Sequence, residues 1–281
     1  MTFAPWMIFQ TMKTWSLTMT TKIRASSLPE LFDCPRRWEC KHLLGMRLPT
    51  SGAAQLGTAV HAGTAIFDQS RIVDAGLTAD DAAGAVVDAI WKPEQDVNWE
   101  DSSPKEAEPI ALALHKKYCR EISPRFQFVD VEASCPSLEI ADLGITLTGT
   151  TDRVFAGPEG FGIADLKTGK AAVAADGTVK TAGHAAQIAV YELLAEAATG
   201  RAIDAPARII GLQVAKTESG RRAAVGEITG AKELLIGTEE EPGLLELAAQ
   251  FLKSGVFYGN PRSSLCNKKY CPAYDSCRFR R

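Results

Sequence analysis

Long apolar runs are missing from this chain. Nowhere does it approach the ~18 consecutive apolar residues of a membrane-spanning helix, so no bilayer-crossing helix is expected. No segment recurs with a period of roughly 20 to 50 residues, which excludes a solenoid. A GxxxxGK[ST] loop is absent too, and with it any nucleotide-driven motor within the chain. The 281 residues are instead 46% hydrophobic, 7% aromatic and 23% charged, a balance able to bury a core and too apolar for a disordered chain. Seven cysteines, odd in number and unevenly placed, with no basic secretory leader in view, do not make a disulfide framework. A reducing compartment, the cytoplasm, is expected, and clustered cysteines then read as metal ligands.

The net charge of -3 conceals an uneven distribution. Residues 22–47 carry +3 and residues 266–281 carry +4, while the stretch 48–265 stands at -11. If the basic ends meet in space they form a patch suited to phosphate backbones; separate solvated faces are the ordinary alternative. Residues 1–21 have four methionines and no clear period, which suggests a disordered segment or a start placed too far upstream, with Met19 as the true start.

From Ser27 the pattern sharpens. Ser27 and Glu30 read as a capping box, and Leu28, Leu31 and Phe32 mark one helix face. Pro35 restarts a short helix carrying Trp38, and helical spacing follows over 52–69, 78–91 and 104–119. Period two then takes over. Strands are expected over 126–132, on both sides of a turn at 142–144, at 154–155 and over 161–167, the last two joined by the turn Gly157-Pro158-Glu159-Gly160, and together they read as one antiparallel meander. A helix over 184–198, strands over 208–214 and 223–228, and a helix over 242–253 complete the order. The fold class expected is α/β, a mixed central sheet with flanking helices behind a helical N-terminal region. One domain over 22–281 would divide into a helical region (22–120), an α/β core (121–235) and a C-terminal helix with clustered cysteines (236–281).

Asp165-Leu166-Lys167 ends a strand, where residues two apart share a face, so Asp165 and Lys167 point the same way and the Leu166 carbonyl is expected to lie exposed. Asp152, on the preceding strand, can face Asp165 across the hairpin. Two carboxylates and a carbonyl form an oxygen site suited to Mg2+ or Mn2+, beside which Lys167 can orient a water or stabilise a phosphodiester transition state. A bare Asp-x-Lys is more often a surface ion pair. The company it keeps is GTTDRVF, then GFGIADLKTGK, then QIAVYELL. That succession resembles the RecB-like branch of the PD-(D/E)xK nuclease superfamily, which includes the AddB nuclease domain and the CRISPR-associated adaptation nucleases.

The resemblance implies a restriction-endonuclease-like core and metal-dependent cleavage of DNA. Catalysis would fall to Asp152, Asp165 and Lys167, and the metal to His61 (in LGTAVHAG), Asp152, Asp165 and the Leu166 carbonyl. Gln187 and Tyr191, i and i+4 on a helix, would position the nucleic acid. Glu132 resembles an accessory acid of some relatives, with Glu139 an equal alternative. It also implies that Cys34 in CPRRW joins Cys266, Cys271 and Cys277 of the tail around a 4Fe-4S cluster, with a structural Zn2+ site as the alternative for the same ligands; the relatives often have two residues between the first C-terminal pair, where this chain has four. Cys40, Cys119 and Cys135 read as buried small hydrophobes, Cys40 alone able to replace Cys34. Without a motor, the chain would act as an exonuclease on single-stranded or tailed DNA, or receive unwound DNA from a separate helicase or recombination protein, in phage recombination, repair or CRISPR adaptation. A degenerate relative that only binds DNA, and a nuclease acting on RNA, are the rival readings.

Overall fold

A computed structural model describes residues 20–100 and 102–280. The expectation for residues 1–19, and with it the start at Met19, lies outside the described residues. The expected unstructured segment does not extend to residue 21: Thr21–Arg24 forms β1, and Thr21 donates its N–H to the Gly144 carbonyl at 2.8 Å. Two short helices follow, α1 (Leu28–Asp33) and α2 (Pro35–His42), and a short strand β2 (Thr50–Ser51) leads into the long α3 (Gly52–Ile72). Next come α4 (Ala79–Trp91), the short β3 (Val97–Asn98) and α5 (Pro104–Glu121).

Local chemistry explains where these helices start. The Ser51 hydroxyl accepts from Ala54 N–H to open α3, and complete capping boxes, Thr78 with Asp81 and Ser103 with Glu106, open α4 and α5. The box expected at Ser27 and Glu30 does not form. Ser27 already has helical backbone at the end of a 3-10 turn, so its hydroxyl donates back to the Arg24 carbonyl and accepts from the Trp38 indole.

The strands are β4 (Gln127–Ser134), β5 (Leu138–Ile140), β6 (Ile145–Thr148), β7 (Thr150–Gly157), β8 (Gly160–Gly169), β9 (Ala207–Gln213) and β10 (Ala223–Ile228). They do not form the single meander expected. β5 and β6 leave the main sheet and pair with β1, β1 running parallel to β6, whereas the main sheet is ordered β10-β9-β8-β7-β4. Within it β4, β7 and β8 are antiparallel, and β9 lies parallel to β8 after a crossover through α6 (Ala185–Thr199). Two helices, α7 (Ala231–Ile236) and α8 (Leu244–Ser254), precede a tail of turns; α7 was not foreseen.

Both faces of the main sheet are buried. Ile163 and Ile209 pack with Ile188, Val190 and Leu194 of α6, while the neighbouring Ala164 and Ile210 pack with Leu56, Val60 and Leu114 of α3 and α5. Adjacent strand residues thus serve opposite layers. The helical layer is tight at Gly63, where an added Cβ would stand 2.3 Å from Val86 and 2.9 Å from His115. This α/β/α arrangement, a five-stranded mixed sheet between helices, agrees with the restriction-endonuclease-like class expected.

Candidate active site

The β7–β8 ladder runs from Gly157 opposite Gly160 to Arg153 opposite Ala164 and stops there. One step further the same register sets Asp152 against Asp165, but the strands part. Leu166 turns its N–H and C=O towards the vacated edge, since both groups of one strand residue point the same way. Asp152 Oδ2 accepts the N–H at 2.8 Å, and the carbonyl lies 3.0 Å from His61 Nε2. The expectation of an exposed Leu166 carbonyl is therefore corrected: the splay admits the His61 ring, and the residue is buried.

Two sets of polar contacts meet at this point, joined through the backbone of Asp165 and Leu166. His61 Nδ1 is 3.6 Å from Asp152 Oδ1, and Lys167 Nζ is 2.6 Å from Asp165 Oδ2 and donates to Gln187 Oε1 at 3.0 Å. Gln187 Nε2 in turn donates to the Tyr191 hydroxyl at 2.9 Å. Gly149 makes room for that ring; a Cβ there would meet it at 2.9 Å. His61 arrives from α3 on one side of the sheet and Gln187 with Tyr191 from α6 on the other, so the site forms where both layers reach the open strand ends.

Charge is divided unequally between the two carboxyls. Burial works against ionisation of both. At Asp152 it is outweighed by His61, the Leu166 N–H and Lys167, which hold the group below the ordinary aspartate range. For Asp165, burial and the charge of Asp152 win over Lys167 and raise it. His61 is raised: burial opposes the imidazolium, but Asp152 and then Asp165 favour it. His184, which precedes α6 and drew no notice in the sequence, is lowered to about 4 by burial, then by Lys167 and Lys180, and so stays neutral at pH 7.

Glu132 lies on β4 level with Asp152, yet has a left-handed backbone (φ 49°), is exposed, and lines a separate pocket with Asp130, Ala195 and Thr199. It makes no polar contact with the cluster. Glu139 is exposed on β5 of the other sheet, opposite Thr146.

Sequence reasoning missed a buried brace. Arg153, adjacent to Asp152 but pointing into the opposite layer, is 2% exposed and ion-pairs through Nε with Asp68 Oδ2 at 2.7 Å; Asp68 is wholly buried. The Arg153 Nη2 donates to Thr64 Oγ1 at 3.2 Å, its Nη1 to the Asp152 carbonyl at 2.7 Å, and Tyr118 and Ser123 donate to the Asp68 carboxylate. Thr64 and Asp68 stand one and two turns beyond His61 on α3. The brace therefore ties the helix bearing His61 to the strand bearing Asp152, and the only signal for it was polar spacing along an otherwise apolar helix.

Outside this cluster Cys34, Cys266, Cys271 and Cys277 line one pocket. The termini are stitched together there: Asn260 N–H points at Cys34 Sγ (3.4 Å), Asn260 Nδ2 donates to the Asp33 carbonyl at 2.9 Å, and Ser263 Oγ donates to the Asp33 carboxylate at 2.6 Å. Cys40 is buried against Cys271 and Ala273, and Cys119 and Cys135 are buried elsewhere. All seven thiols are free.

Among the described residues, no three His, Cys, Asp or Glu side chains form a metal-holding group in this arrangement. The expected metal set instead faces protein groups, Asp165 lying beside the Lys167 ammonium and the Leu166 carbonyl beside His61 Nε2. The residues still fit a hard divalent ion in donor type, with carboxylate and carbonyl oxygens and an imidazole. Asp165 Oδ2 is buried with the Lys167 ammonium beside it but no directed hydrogen bond.

A five-stranded mixed sheet sandwiched by helices, parted over paired aspartates and a lysine, is the architecture of the restriction-endonuclease-like class. Residues 23–278 match the PD-(D/E)XK nuclease superfamily, and the chain belongs to it. Nucleases of this superfamily typically use Mg2+ or Mn2+. No curated protein matches the chain.

Proposed function

We propose that the chain is a divalent-metal-dependent deoxyribonuclease of the RecB-like type, acting as an exonuclease on single-stranded or tailed DNA ends. The observation that carries this reading is the convergence at the parted strand ends of two contact sets, His61 with Asp152 and the Leu166 backbone, and Asp165 with Lys167, Gln187 and Tyr191. His61, Asp152, Asp165 and the Leu166 carbonyl, once His61 releases it, are the donors for Mg2+ or Mn2+. A divalent ion there would neutralise charge on the phosphodiester and lower the pKa of a water. Lys167, held by a hydrogen bond to Gln187 beside Asp165, would supply its ammonium to the attacking water or a phosphoryl oxygen. Gln187 sets the direction of Lys167, and Tyr191 that of Gln187.

Strand preference follows from what the chain contains. With no motor, opening duplex DNA would cost ~1.4 kcal/mol per base-pair step with nothing to offset it. The cysteine-bearing tail is basic and aromatic: Arg278 lies over Phe279 at 4.7 Å, Arg280 over Tyr274 at 5.5 Å, and Tyr258 and Tyr270 are exposed. Such a surface suits unpaired bases and a flexible backbone. Linear single strands should therefore be cut faster than blunt duplex at matched metal, with activity falling steeply as salt rises. Equal or faster cutting of the blunt duplex would overturn the strand preference, and rapid cutting of closed circular single strands would overturn the need for an end. A separate helicase or recombination protein is the expected source of unwound DNA.

The four pocket cysteines are assigned to a 4Fe-4S cluster, with zinc as the alternative. Soft thiolates suit either group, and the buried Nη1 of Arg37, which lines the same pocket, has no acceptor from the protein. Protein purified without oxygen is expected to be brown and to contain iron and acid-labile sulfide. Cys271→Ser should lose both and unfold at lower denaturant, because the tail loses its anchor to the N-terminal helices. One equivalent of zinc without sulfide would replace the cluster with the zinc site.

A further inference from the structure

Arg37 is 3% exposed, and its guanidinium is directed by two carboxylates. Its Nε donates to Glu30 Oε1 at 2.7 Å, and its Nη2 lies 3.6 Å from Asp33 Oδ2. The third nitrogen, Nη1, is buried and has no acceptor. A charged donor left unpaired in the interior is costly, and native structures seldom retain one without a reason. Arg37 lines the cysteine pocket from the first turn of α2, which begins directly after Cys34.

The surrounding charges leave this cation available to the pocket. Glu30 is already held by Lys41 at 2.7 Å, with His42 at 3.7 Å, and Asp33 accepts from Ser263. Arg36, the other arginine lining the pocket, is paired with Glu39. Four thiolates around a zinc ion or an iron–sulfur core leave a net negative charge. A buried group of that kind needs a nearby donor that carries positive charge.

We propose that Arg37 Nη1 donates a hydrogen bond to the group held by Cys34, Cys266, Cys271 and Cys277, and that this bond governs how firmly the group is retained. Its place is that of a positioning residue, with Glu30 and Asp33 aiming the fork. The inference rests on the reading that these four cysteines hold a metal or a cluster, and it holds for either. Lysine cannot replace this arginine. A single ammonium on a shorter reach does not span Glu30 and the pocket together.

The test compares wild type, Arg37→Gln, Arg37→Lys and Glu30→Gln, all full-length and purified without oxygen. Iron, sulfide and zinc are counted, and release of the group to EDTA is timed, by cluster absorbance or with a zinc dye. Release about tenfold or more faster is expected in both Arg37 variants, the usual scale for losing an outer hydrogen bond to a metal centre. Glu30→Gln, which keeps the Nη1 donor but weakens the contact that aims it, should release the group faster than wild type and more slowly than the Arg37 variants. If the group is a cluster, Arg37→Gln should also lower its reduction potential, because a hydrogen bond to sulfur favours the reduced, more negative state. Should Arg37→Gln fail to fold, Arg37→Lys carries the test on the same readings. Wild type that binds neither iron nor zinc sinks the cysteine reading and this proposal with it. A loaded wild type whose Arg37 variants release the group at its own rate, or a Glu30→Gln protein leakier than they are, overturns the role of Arg37 alone.

Discussion

Asp165→Asn and Lys167→Ala proteins should each cleave DNA about a thousandfold more slowly than wild type while binding it nearly as well. On the proposed reading the asparagine would remove a charged metal donor from a site where burial and the neighbouring Asp152 already disfavour negative charge, so an ion offsetting this repulsion would be held less firmly. Activation of water by a metal supplies several kcal/mol of transition-state stabilisation, and each ~1.4 kcal/mol lost is tenfold in rate. In Lys167→Ala the carboxylate remains, but the donor fixed at 2.6 Å from Asp165 and 3.0 Å from Gln187 is gone. Phosphate contacts elsewhere survive both changes. Single-turnover cleavage and fluorescence anisotropy measure the two halves of the claim, and a Lys167→Ala protein of full activity would contradict it. Gln187→Ala should fall between, since it loosens Lys167 without removing it.

The brace beneath the site should dominate stability. Asp68→Ala is expected to cost about 3–5 kcal/mol, because it leaves the Arg153 guanidinium buried without its counter-charge. Tyr118, whose hydroxyl donates to Asp68 and whose pKa burial raises well above normal, would lose its acceptor as well. Joint replacement of Asp68 and Arg153 by apolar residues of similar volume should recover much of the loss, the sign that an unpaired charge and not a cavity was responsible. Urea unfolding of the single and double variants gives the comparison. A cost for Asp68→Ala below about 1 kcal/mol, as for an exposed pair, would mean that the contact does not hold α3 to β7. The double variant should still cleave poorly, since His61 and Asp152 would no longer be held in register by Thr64, Arg153 and the Asp152 carbonyl.

Much of this molecule is written locally in its chain. The helices α3, α4 and α5 begin where a serine or threonine can cap them, and α5 has a proline at its first position besides, so their boundaries follow from a few consecutive residues. The β7–β8 hairpin follows from its turn, and its register already sets Asp152 level with Asp165. Spacing on α6 puts Gln187 and Tyr191 on one face. Membership of the nuclease superfamily was legible for the same reason, since its motifs are short and each lies on one element. Other features have no local signal. β1 is four residues long and gains its place only from parallel pairing with β6, far along the chain. Ser27 loses its expected cap because its backbone is already helical, a matter of how the preceding turn meets the sheet.

What the sequence alone determined, then, is which groups sit on which face of each element, because side-chain periodicity is a property of the local backbone. Only the tertiary structure decided where strands β7 and β8 part, how the Leu166 amide and carbonyl are shared between Asp152 and His61, and that Asp68 neutralises Arg153 beneath them. Those are contacts between elements distant in sequence. They depend on the packing of two helical layers against one sheet, which no single segment encodes.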